Sequence, residues 1–176
     1  MELFVGLDFP FAVNQELEQI QKRLRRFDPS GKYEPPENYH LTLRYIGELP
    51  EAESVTANLE PIECKRFRLR LHELGMFENP EKTVIWVNVT GENEALQTLQ
   101  RRIDRTLTDA GVQVERFSFV PHISLAYDCR TSLSDYFSSC EVTPLSFEVS
   151  DFHLYVVHRS PEGSRFRKIR TFNLTE

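Results

Sequence analysis

The sequence predicts an α+β fold in two lobes, and three observations carry that expectation. Two long stretches repeat apolar residues at spacings of three and four. The runs between them are short, strand-like and joined by turn residues, which is the pattern of hairpins and not of alternating βαβ units. A short motif containing histidine occurs twice, nearly half a chain apart.

Taken in order, Leu3, Phe4, Val5 and Leu7 ahead of Pro10 read as a buried first strand. Val13, Leu17, Ile20, Leu24 and Phe27 then fall on one helical face, and Asp28-Pro29-Ser30-Gly31 stops the run. On the other face Glu16, Lys22, Arg23, Arg25 and Arg26 are expected in solvent. After Pro35-Pro36 a strand is expected over 39–47, and Pro50 suits the first turn of a short helix over about 50–60. Phe67, Leu69 and Leu71 alternate with Arg68, Arg70 and His72, so 67–76 reads as a strand. It is paired through the turn Glu78-Asn79-Pro80-Glu81 with a second strand over 83–89. Leu96, Leu99, Ile103 and Leu107 predict a helix over about 92–110, with Gly111 past its end. The rest reads as a strand over 119–127, a polar stretch from Asp128 to Ser139 with room for a short helix, and three strands over 142–150, 151–158 and 165–173. Ser160-Pro161-Glu162-Gly163 turns between the last two. No low-complexity segment or flexible linker divides the chain, so residues 1–176 are expected to form one bilobal domain.

Composition narrows the function classes. A chain of 176 residues with 40% hydrophobic and 27% charged residues has the make-up of a globular domain that folds alone. The start, MELFVGLDFP, has no basic region and too short an apolar run for a signal peptide, and no later run approaches the length of a membrane span. Cys64, Cys129 and Cys140 are odd in number and unpaired in spacing, which predicts free thiols and a reducing, cytoplasmic setting. A net charge of -6 excludes a broad electrostatic grip on a DNA duplex or long RNA, and leaves open a nucleic-acid end or a nucleotide held in one local pocket.

The repeat is Tyr39-His40-Leu41-Thr42-Leu43 and Pro121-His122-Ile123-Ser124-Leu125, with histidines at positions 40 and 122. In a strand, residues two apart share a face. His40 should therefore point with Thr42, and His122 with Ser124, while Leu41, Leu43, Ile123 and Leu125 anchor the opposite face. Two imidazoles facing one substrate make an acid-base pair near neutral pH, and two hydroxyls beside them suit phosphoryl oxygens. A single His-x-Thr is an ordinary half-buried strand pair; two copies with matched flanks are what give the reading weight. A metal site is the competing functional reading, but two histidines without Asp, Glu or Cys at ligand spacing are an incomplete zinc set. His72, His153 and His158 have no repeated partner and read as surface or packing. Cys129 has no histidine at a spacing that would activate a thiolate.

The stretches Pro35-Pro36-Glu37-Asn38-Tyr39-His40-Leu41-Thr42-Leu43-Arg44-Tyr45-Ile46-Gly47 and Phe119-Val120-Pro121-His122-Ile123-Ser124-Leu125-Ala126 resemble the paired signatures of the two-histidine phosphoesterases. Within that superfamily the chain is similar to the RNA 2′,3′-cyclic phosphodiesterases, also described as 2′-5′ RNA ligases. The resemblance implies two antiparallel sheets with helices outside and a central groove, in which His40 and His122 are catalytic and Thr42 and Ser124 bind the phosphate. It also implies opening of a cyclic phosphate to a 2′-phosphate, without saying which histidine is acid and which is base. Arg44 and Tyr127 are further candidates for substrate contact. Family members often carry arginines where this chain has Val120 and Tyr127, so the phosphate pocket is expected to be less cationic unless Arg44, Arg116 or Arg130 compensates. No cofactor or metal is implied. The expected partners are RNA or oligonucleotide ends with a cyclic phosphate, or small nucleotides, with no membrane, no DNA duplex and a monomeric chain. The alternatives are hydrolysis or ligation of 2′-5′-linked oligonucleotides, action on other cyclic nucleotide phosphates, and a nucleotide-binding module without turnover.

Overall fold

The computed structural model of the protein describes residues 1–78, 83–113, 118–129, 136–137 and 140–176. Strand β1 (Glu2–Leu7) is buried on both faces from Leu3 to Leu7 because it lies inside a sheet. Helix α1 (Phe11–Phe27) buries Val13, Leu17, Ile20 and Leu24 along one stripe. It ends at Asp28, whose N–H reaches the Leu24 carbonyl at 2.8 Å and whose carboxylate accepts from the Ser30 N–H at 3.0 Å. The side chain thus makes the turn that stops the helix. A two-residue strand, β2 (Lys32–Tyr33), and a 3₁₀ turn over Pro36–Asn38 follow; neither is marked by periodicity in so short a run. Then come β3 (Leu41–Glu48), α2 (Glu53–Leu59), β4 (Phe67–Glu78), β5 (Thr83–Gly91), α3 (Asn93–Asp109), β6 (Ile123–Tyr127), β7 (Ser146–Val149), β8 (Asp151–Ser160) and β9 (Gly163–Asn173).

Two antiparallel sheets form, ordered β3-β1-β8-β9 and β2-β6-β5-β4-β7. In each, the strand that follows a predicted histidine, β3 or β6, lies beside a central strand, β1 or β5, and the two sheets touch along β3 and β6. Helix α1, which follows β1 of the first sheet, lies against β6 of the second, while α3, which follows β5 of the second, packs on both β3 of the first and β4 of the second, with α2 beside it. A large apolar core runs from Leu3 and Leu41 through Leu17 and Leu99 to Leu71, Ile123 and Phe152, and a smaller cluster of Leu24, Ile85, Ala126, Cys129 and Tyr136 lies apart from it. No helix among the described residues is long and apolar enough to cross a membrane.

Several boundaries differ from the sequence expectation for local reasons. The histidine strands start at Leu41 and Ile123, one residue after each histidine. The preceding prolines, Pro35-Pro36 and Pro121, lack the N–H groups that a ladder would need. The short helix starts at Glu53 and not at Pro50, because the Leu49 N–H still bonds the Met1 carbonyl at 2.8 Å and holds the chain in its strand direction. The strand expected over 142–150 shrinks to Ser146–Val149, since a local Leu145 N–H to Thr143 carbonyl bond and Pro144 precede it. The Glu78 to Thr83 pairing closes the β4–β5 hairpin as expected, though 79–82 lie outside the described residues. Of the short helix expected in 128–139, only Tyr136 and Phe137 are described in helical conformation.

Candidate active site

Both histidines are mounted in the same way. His40 Nδ1 lies 2.7 Å from the Asn38 carbonyl and His122 Nδ1 lies 2.7 Å from the Val120 carbonyl, in each case two residues back along the chain. A carbonyl only accepts, so each Nδ1 carries the proton and each Nε2 is left as the reactive nitrogen when the ring is neutral. In the first motif the Thr42 hydroxyl then donates to His40 Nε2 at 3.0 Å. His and hydroxyl therefore share a side, as the alternation predicted.

Aromatic walls enclose the rings. Phe4 and Phe166 lie 4.8 and 4.9 Å from the His40 ring, and Phe77 and Trp86 lie 4.9 and 6.3 Å from the His122 ring. Sequence reasoning missed all four, because an aromatic residue in a strand reads first as core. Burial between these walls is the main reason that the His40 imidazole is pushed down to about 4; the bond to Asn38 opposes the shift, and the charge of His122 adds to it. His122 is likewise held below the ordinary imidazole value by burial, against the opposing bond to Val120. Each histidine senses a low-dielectric setting, and His40 senses its counterpart in the other motif.

Two glycines make room for these walls. Gly6, the β1 residue opposite Thr42, leaves space for the Phe4 ring 3.3 Å from where a Cβ would be. Gly75 of β4 is paired with Trp86, and a Cβ there would lie 2.0 Å from the indole. Gly75→Ala must therefore displace Trp86 and unseat His122, at a cost of roughly 1–3 kcal/mol for overpacking. Trp86 is the sole tryptophan, so its emission reports the change directly: a red shift and a lower unfolding midpoint are expected, and wild-type emission would contradict the assignment.

A groove of about 850 Å³ runs across the site, lined among others by Phe4, His40, Thr42, Tyr45, Ser124, Tyr127 and Phe166. Thr42, Ser124 and Tyr127 thus face it as expected, and His122 stands two residues before Ser124 on the same motif. Arg44 does not face it. A β-bulge between the Val5–Arg44 and Gly6–Thr42 pairs inserts Leu43 as an extra residue, so Arg44 leaves the face of Thr42. Its guanidinium, 8% exposed, pairs with Asp104 of α3. Arg44 as a substrate contact is accordingly withdrawn, and Arg116 and Arg130 lie outside the described residues. The cations along the groove among the described residues are Lys32, bonded to Asp128 at 2.7 Å, and Arg159, bonded to Glu2 at 2.7 Å. Each of these two is paired with a carboxylate.

Of the other histidines, His72 and His158 are exposed, whereas His153 is 2% exposed. Its Nε2 lies 3.0 Å from both Asp8 and Asp151, and its Nδ1 lies 3.0 Å from Thr171 Oγ1. Lys168 also bonds Asp8 at 2.6 Å, and together with His153 it lowers that carboxylate to about 2. The cluster ties the ends of β1, β8 and β9 behind Tyr155, which stacks on Phe4. Burial pushes the Cys129 thiol up to about 11, in line with an inert thiol.

Fold and site together define an α+β protein of two antiparallel sheets in which His40, Thr42 and Ser124, the last two each standing two residues after a histidine, line one groove. The family model described as the 2′-5′ RNA ligase superfamily matches residues 9–161. The chain belongs to that superfamily. It is 40% identical over 93 residues to the RNA 2′,3′-cyclic phosphodiesterase of Aeropyrum pernix, a stretch spanning 51% of this chain and 53% of the relative. It is 26% identical over 178 residues to the protein of the same name from Methanocaldococcus jannaschii, covering 97% and 99%. Among solved structures, E. coli LigT in apo form superposes with a TM-score of 0.81 at 23% identity over 99% of this chain and 98% of that one. TT0787 of Thermus thermophilus superposes with a TM-score of 0.76 at 26% identity over 98% and 97%. E. coli LigT has also been solved in complex with 3′-AMP, again with a likeness that extends over 99% of this chain.

Proposed function

We propose that the protein is an RNA 2′,3′-cyclic phosphodiesterase, acting as one bilobal unit that hydrolyses the cyclic end of an RNA or oligonucleotide to a 2′-phosphate. The observation that carries this reading is the pair of identically mounted imidazoles, each with Nε2 as its unprotonated nitrogen, whose companion hydroxyls line one groove. The names of the relatives support the same substrate.

In the proposed reaction one neutral imidazole takes a proton from water through Nε2 while the water oxygen bonds to phosphorus. The bond from phosphorus to O3′ breaks, and the other imidazole, protonated on Nε2, gives its proton to O3′. One water is consumed, and the histidine pair ends with the same number of protons. Thr42 and Ser124 hold the phosphoryl oxygens as negative charge builds on them. The aromatic walls keep bulk water out, which strengthens these bonds.

A cyclic phosphodiester bears one negative charge and a phosphomonoester up to two near neutrality, so a groove whose described cations, Lys32 and Arg159, are already paired suits the substrate better than the product. One chain supplies both histidines, so a monomer suffices, and the three free cysteines fit a cytoplasmic setting. An RNA ending in 2′,3′-cyclic phosphate, incubated with the protein in EDTA, is expected to be converted fully to the 2′-phosphate. Retention of the cyclic end, or conversion that EDTA abolishes, would refute the scheme.

A further inference from the structure

We propose that Glu34 is a positioning residue that couples the two histidine motifs, orienting Ser124 through Tyr127 and His40 through Asn38. The inference rests on the functional reading above and adds a residue to it. Glu34 follows β2 and lines the groove, yet it is only 8% exposed. Its backbone is clamped: its N–H donates to the Leu125 carbonyl at 2.9 Å, and Gln21 Nε2 donates to the carbonyls of Glu34 and Leu125 at 2.6 and 3.0 Å. The carboxylate is therefore held at the junction of the two lobes by α1 and β6 together.

Toward the first motif, Asn38 Nδ2 donates to Glu34 Oε1 at 2.7 Å and to the Ser164 carbonyl at 2.8 Å, while Asn38 Oδ1 accepts from the Phe166 N–H at 3.3 Å. The backbone carbonyl of this same Asn38, 2% exposed, fixes the tautomer of His40. Phe166 is one of the walls of the His40 ring. Glu34 thus stiffens the part that sets both the proton position and the packing of the first imidazole.

Toward the second motif, Glu34, Ser124 and Tyr127 line the same groove, next to the Leu125 carbonyl that takes the Glu34 N–H. Burial first, then the charge of Glu34 and a bond to it hold the Tyr127 phenol well above its ordinary value, with a bond to Ser124 opposing the shift. The bond to Glu34 stabilises the protonated phenol, so Tyr127 donates to the carboxylate. The Tyr127 phenol thus lies between the Glu34 carboxylate and Ser124, and holds the serine beside the groove before substrate arrives. A buried network of this kind holds its geometry only while each member is satisfied.

The test is a double-mutant cycle on kcat/KM with cyclic-ended RNA, joined to a readout that needs no turnover. Glu34→Gln and Tyr127→Phe are each expected to lower kcat/KM about tenfold, the effect of one network hydrogen bond, with the protein still folded and only a small drop in unfolding midpoint. In a Ser124→Ala background Tyr127→Phe should cost almost nothing further, because its influence passes through that hydroxyl. Independent losses that multiply, or wild-type activity in both variants, overturn the proposal. In the ¹H–¹⁵N spectrum the Asn38 side-chain amide should move in Glu34→Gln and also in Tyr127→Phe, since both lie on one network. An Asn38 resonance indifferent to Tyr127→Phe overturns the coupling. Should the wild-type protein leave every cyclic end intact, the functional reading falls while the spectrum alone decides the network.

Discussion

His40→Ala and His122→Ala are each expected to lower kcat on a cyclic-ended RNA by roughly 10² to 10⁴, the scale for loss of a positioned acid or base. Neither change should unfold the protein, since neither ring belongs to the apolar core. The double variant should lose little beyond the worse single one, because a proton donor is of little use without its acceptor. Near-wild-type turnover in either single variant would remove that imidazole from the reaction. The expectation follows from the shared mount, in which Nδ1 is tied to a carbonyl and Nε2 is left for chemistry.

The second large effect is in the pH dependence. Walls of Phe4, Phe166, Phe77 and Trp86 depress both imidazoles, His40 to about 4 and His122 in the same direction. The proposed reaction needs one of the pair protonated and the other neutral. In the free protein at pH 8 both are mostly neutral, so the competent fraction grows as pH falls, about tenfold per unit until the first imidazole titrates below its ordinary value near 6.5. On the acid side kcat/KM should fall again as His40 takes up a proton near pH 4 and the base is lost. The profile of kcat/KM, which reports the free protein, is therefore a bell centred on the acidic side of 6.5. A profile that is flat or rising from pH 7 to 9 would show that the walls do not depress the pair, or that no protonated group is required.

Much of this site was legible in the sequence, for a reason particular to it: the motif is duplicated. The amphipathic helices α1 and α3 were equally plain, because apolar positions at helical spacing leave one face to bury. What escaped was set by neighbours far away in the chain. Alternation alone puts Arg44 beside Thr42, and only pairing with β1 reveals the bulge that sends it to Asp104. Phe4, Phe166, Phe77 and Trp86 become walls through the pairing of β1 with β3 and β8 with β9 in one sheet, and of β4 with β5 and β5 with β6 in the other. The bonding of His153 to Asp8 spans 145 positions. Glu34 carried no signal at all: a lone glutamate between a tyrosine and two prolines reads as a loop residue until β2 is seen to pair with β6.

The most direct measurement follows both imidazoles while one phosphate binds. Histidine-labelled protein is titrated with a 2′-phosphorylated nucleotide, and the Nε2 resonances of His40 and His122 are tracked by ¹⁵N NMR. Both should shift together and saturate at one equivalent, each moving toward the protonated form because an anion beside an imidazole favours its charge. Movement of one resonance alone, or of neither at saturation, would mean that the two rings do not meet on the same phosphorus.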